Sequence, residues 1–103
     1  MEHTFAADGS LDNPFDVGAA PAEVFFFVGD DSAEDLGTGT LKIQKVSSSG
    51  ARRNLKVITS LGSADDRSMR TILPANSMVD VTLSGSTNPN LSVEIQVGPR
   101  RNP

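Results

Sequence analysis

The chain of 103 residues contains no cysteine, no tryptophan and no tyrosine, and a single histidine. Without cysteine there can be no disulfide framework, thiolate nucleophile or thiolate metal site. Without tryptophan or tyrosine there is no strong platform for stacking sugars or bases, which argues against a carbohydrate-binding module and against single-stranded nucleic acid. The lone His3 sits in a short terminal segment, a poor place for a general base. No GxSxG elbow occurs, and the GTGT at 37–40 lacks the GK[ST] that completes a phosphate loop. No apolar run approaches the roughly 20 residues needed to cross a bilayer as a helix. The first ten residues lack the basic and apolar regions of a signal peptide, so synthesis in the cytoplasm is the expectation.

Basic residues are missing from a whole stretch. Residues 1–41 hold nine carboxylates and no Lys or Arg, a charge of −9; residues 42–103 hold nine basic and four acidic residues, a charge of +5. Together they give the net −4. Solvated loops explain part of this asymmetry; complementarity between copies, or toward a partner, is the sharper reading. The basic residues are dispersed in an acidic domain, so no nucleic-acid partner is expected.

What is present is alternation. In 77–97, Val79, Val81 and Leu83 and then Leu91, Val93, Ile95 and Val97 fall at every second position, with Asp80, Thr82, Ser92, Glu94 and Gln96 between them. Period two places one set on a buried face and the other in water. The intervening SGSTNPN is turn-forming, so the simplest reading is an antiparallel hairpin. Further strands are expected at 15–17, at 23–28, at 41–46 with a parity change between Ile43 and Val46 that suggests a bulge or the strand end, at 55–58 and at 69–73. At 55–58, Leu55 and Val57 are expected on one face and Lys56 and Ile58 on the other. In EVFFFV, Val24, Phe26 and Val28 point one way and Phe25 and Phe27 the other; the run is either buried on both faces or offers the phenylalanines to a partner.

The rest reads as connection. A capped helical turn could run from Asp31 or Ser32 to Leu36. The acidic 29–35 loop does not match calcium-loop spacing, so no metal or cofactor is expected. Asp65 and Asp66 beside Arg67 read as an exposed turn. The expected organisation is an extended arm over 1–13, a β-sandwich domain over 14–98 and a short basic tail over 99–103. The fold class is all-β, one antiparallel sandwich or jelly-roll-like barrel of seven to eight short strands.

Three segments carry a resemblance: TFAADGSLDNPFDVG near the start, GTGTLKIQKVSSSGARRNLKVI in the middle, and VDVTLSGSTNPNLSVEIQV near the end. The chain resembles the small β-sandwich virion proteins of tailed bacteriophages, the capsid decoration (cement) and head-fibre class. Where that class carries an Asp-Gly-Gly-like turn followed by Trp, this chain has SSSGARR and no Trp. The resemblance implies a structural protein with no catalytic residues, located on the virion capsid. Its implied partners are the major capsid protein and further copies of itself, in a trimer by preference; no membrane is involved. Candidate interface residues are Phe5 in the arm, Phe25 and Phe27 in the apolar run, and Arg52 and Arg53 in the basic turn. The alternatives are another virion module, such as a head-fibre base, neck or tail component, or a ligand- or receptor-binding sandwich using loops 29–40 and 84–90.

Overall fold

The computed structural model describes residues 2–11, 14–29, 36–59 and 67–99. Among the described residues nine strands run in chain order: β1 (Glu2–Phe5), β2 (Gly9–Ser10), β3 (Phe15–Asp16), β4 (Ala22–Val28), β5 (Thr40–Val46), β6 (Arg52–Ile58), β7 (Ser68–Leu73), β8 (Met78–Ser84) and β9 (Leu91–Pro99). They form two antiparallel sheets packed as an open sandwich, not a closed barrel. One has the order β1-β9-β4-β7; the other has β2-β8-β5-β6, with β3 also on β8. Among the described residues there is no helix. The expected turn from Asp31 or Ser32, the acidic loop, the Asp65–Arg67 turn and the basic tail lie outside the described residues, apart from Gly29, Leu36, Arg67 and Pro99.

The alternation in the last third builds the core as expected, by a different connection. Val79, Val81, Leu83, Leu91, Val93 and Ile95 are all buried. But β8 and β9 do not pair: β8 joins β5 in one sheet and β9 joins β4 in the other. The segment between them is an arch that carries the chain from one layer to the other. Period two specifies a buried face; it does not say whether the next strand lies alongside or opposite. Val97 keeps the inward parity but is 39% exposed. β1 accompanies β9 only along residues 91–94, so the last part of β9 lacks that neighbour.

The arch is held from two sides. Asp8 accepts hydrogen bonds from the amides of Gly85 (3.0 Å) and Ser86 (2.9 Å), and from the Ser86 hydroxyl. The Thr87 amide donates to the Gly37 carbonyl at 2.7 Å. The GTGT segment, which leads into β5, is therefore in close backbone contact with the arch. Gly37 has φ +62°, and a Cβ there would lie 2.5 Å from the Thr87 carbonyl oxygen. A Cβ on Gly39 would lie 2.8 Å from that of Ser86.

The Ser86 hydroxyl and amide hold the Asp8 carboxyl below its ordinary value of 3.8. A depressed carboxylate contributes stability above its unfolded pKa and loses it as pH falls through the folded one. Asp8→Asn is therefore expected to lower the urea midpoint near pH 7, with the difference from wild type shrinking as pH drops below 3.8. Urea titrations near pH 7 and near pH 3 check this.

The N-terminal arm is part of both sheets. β1 pairs with β9 from Glu2↔Glu94 to Phe5↔Leu91, and β2 pairs with β8 at Gly9↔Leu83 and Ser10↔Thr82. Phe5 and Leu11 are core residues, 2% and 4% exposed. These two strands raise the total from the expected seven or eight to nine.

The β5–β6 register shifts between Ile43 and Gln44, but β5 runs against β8 without a break as far as Val46, so the bulge lies on β6 and not in the strand whose parity suggested it. Lys56 pairs with Ile43 and Asn54 with Gln44, so Leu55 is the extra residue. The bulge separates Leu55 from Val57, which were expected on one face: Leu55 packs against the core and Val57 is 47% exposed. Lys56 and Ile58 share the other face as expected, with Ile58 buried.

Candidate functional site

The five candidate interface residues fall in three places. Phe5 is in the core, its ring meeting His3 edge-on at 4.6 Å between centroids. This removes Phe5 from the accessible surface. Phe25 and Phe27 are on the outer face of the β1-β9-β4-β7 sheet, and Arg52 and Arg53 are on β6 in the other sheet. The structure does not bring the phenylalanines and the arginines together.

β4 buries Ala22, Val24, Phe26 and Val28 and leaves Glu23, Phe25 and Phe27 half-buried. The run is thus buried on one face, and of the two readings the outward placement of Phe25 and Phe27 holds. Two residues apart on one strand, their rings stand parallel, 7° between planes and 6.4 Å between centroids. The register sets Phe25 between Arg70 and Gln96, Phe27 between Ser68 and Glu94, and Glu23 between Ile72 and Gly98. The Arg70 guanidinium carbon lies 6.0 Å from the Phe25 centroid, and its Nε donates to Glu23 Oε1 at 2.9 Å. That ion pair is largely exposed and contributes little beyond orienting Arg70. Ile72 is 50% exposed. The result is an apolar strip, Phe25, Phe27 and Ile72, with Glu23, Arg70, Glu94 and Gln96 around it. Ile72 was missed as a member; its outward parity in 69–73 was readable, but its neighbour Glu23 was known only once the strands were paired.

Arg52 plays a structural part. Its Nη1 reaches across β5 to Asp80 Oδ2 at 2.8 Å and to Gln44 Oε1 at 3.2 Å. Asp80, expected in water, is 2% exposed. Its Oδ1 accepts from the amides of Leu11 (3.2 Å) and Val81 (2.8 Å). These amides lie where β8 has lost its lateral partner, between the segments paired with β2 and with β3. The Leu11 amide is shared with the Val81 carbonyl, also at 3.2 Å, so the carboxylate adds an acceptor where β8 passes from one partner to the next, and Arg52 balances its charge. Arg53 is exposed and stands opposite Lys45.

Among the described residues no three His, Cys, Asp or Glu side chains are placed to hold a metal ion. Comparisons with protein-family models, with curated proteins and with solved structures gave no match.

Proposed function

We propose that this chain is a structural virion protein of a tailed phage, a capsid decoration protein that binds and stabilises the head shell as a homotrimer. The observation that carries the reading is the parallel Phe25–Phe27 pair, extended by Ile72, on a sheet face that no part of the described chain covers. An aromatic pair of this kind, with a polar rim, suits a protein contact. Second and third copies are the proposed occupants. The strip is narrow, and the rim mixes Glu23 and Glu94 with Arg70, so neighbouring copies can offset each other's charges. A closed trimer limits growth, and three attachment points per assembly turn modest site affinities into durable binding to a shell. The resemblance in the first, middle and last segments supports the virion assignment.

Light scattering on a sizing column, followed by co-sedimentation with shells of the same phage, tests it. The expected result is a trimer that sediments with shells. Phe25→Ser with Phe27→Ser should shift the mass to monomer and weaken shell binding at equal concentration by about a hundredfold, the scale of avidity lost. A protein that stays monomeric at all concentrations and ignores shells would overturn the proposal.

A further inference from the structure

Residues 40–58, the β5–β6 hairpin, carry Lys42, Lys45, Arg52, Arg53 and Lys56 and no carboxylate. Its register places Lys45 directly opposite Arg53. Like charges at directly opposed positions destabilise a ladder, and nothing on the hairpin offsets this pair. Basic residues on the edge strand β6 discourage unwanted strand pairing. That account does not cover Lys45, which lies on β5 between β6 and β8.

Lys45 and Arg53 line a recess of about 380 Å³ together with Ser47, Ala51 and Arg52. Arg52 turns its guanidinium to the other face of the sheet, where Nη1 meets Asp80 and Gln44. Lys45 and Arg53 stand together on the recess side. Asp80 balances Arg52; among the described residues no carboxylate pairs with Lys45 or Arg53. The Ser47 hydroxyl accepts from the Ala51 amide at 3.1 Å and lies 2.9 Å from that of Ser49, which fixes the turn beside the two cations.

We propose that this recess is a binding site for a doubly charged oxyanion, a phosphate or sulfate group, held by Lys45 and Arg53. A single carboxylate brings one charge to a place where two are uncompensated; a compact dianion matches both. The site does not depend on the phenylalanine face, which lies on the other sheet.

The test is a titration of ¹⁵N-labelled full-length protein with sodium phosphate, and separately sodium sulfate, at ionic strength held constant with sodium chloride. Saturable amide shifts at Lys45, Ser47, Ala51, Arg52 and Arg53 are expected, together with a rise in melting temperature through ligand linkage. Lys45→Gln with Arg53→Gln changes accessible side chains and should leave the amide spectrum folded, while weakening binding at least tenfold. Shifts that never saturate, or that the double variant reproduces, would overturn the site. A parallel titration with glycerol 1-phosphate identifies the source: tighter binding than inorganic phosphate means a group displayed on a larger molecule, and equal binding means the free ion.

Discussion

Deleting residues 2–11 is expected to leave a chain that cannot keep a native tertiary structure. The segment looks dispensable by composition, with Phe5 its only large apolar residue before Leu11. In the fold it is a strap. It places one strand on β9 and one on β8, so a single stretch ties the two sheets together. Phe5 and Leu11 are both buried in the core between those sheets. Truncating a buried Phe to Ala costs about 3–5 kcal/mol, and a buried Leu about 2–5. Domains of this size have roughly 5–15 kcal/mol of stability in total. The deletion removes both side chains, two ladder segments and the Leu11 amide that helps satisfy Asp80. It also uncovers one side of β9 and one side of β8, which invites aggregation. Circular dichroism and amide dispersion of the truncated chain should show loss of structure. Phe5→Ala alone should lower the urea midpoint severely, and Phe5→Leu much less. A truncated chain melting within a few degrees of the full one would mean that the strap is not needed for folding.

The strap also shows where sequence reading stops. Local grammar was legible: the strands at 23–28, 41–46 and 69–73, and the outward pair Phe25 and Phe27, all follow from parity along a few residues. What was not legible depends on which strands become neighbours. EHTF and GS carry almost no strand signal of their own; they become β1 and β2 because β9 and β8 offer unpaired edges. The same holds for the arch. SGSTNPN can close a hairpin, and what makes it an arch is Asp8 and Gly37 gripping residues 85–87 from distant parts of the chain. On β6 one extra residue put Leu55 and Val57 on different faces. The candidate site shows the same divide: the phenylalanines were visible, while Ile72, the Asp80–Arg52 pair and the Lys45–Arg53 opposition required the register.

Val81→Asp is expected to abolish folding, and its neighbour explains why. Val81 is fully buried on the inner face, opposite Ile43. The substitution forfeits roughly 1.5–3 kcal/mol of apolar burial. It also places a carboxylate among aliphatic side chains, where an unpaired charge costs several kcal/mol more. The combined loss is comparable to the whole stability of such a domain. One residue earlier, Asp80 is also buried, yet the fold keeps it, because two backbone amides and Arg52 meet its oxygens. Burial alone does not decide the outcome for a carboxylate; donors do. Thr82→Asp provides the control. Thr82 is half-exposed on the outer face and registers with Lys42, so a carboxylate there should shift stability by no more than about 1 kcal/mol. The measurement is soluble yield, far-ultraviolet circular dichroism and urea unfolding of the two variants side by side. Val81→Asp should fail in all three while Thr82→Asp behaves as wild type. The reverse ranking would show that β8 turns its other face to the core, and with it the inward row Val79, Val81 and Leu83 on which the sandwich closes.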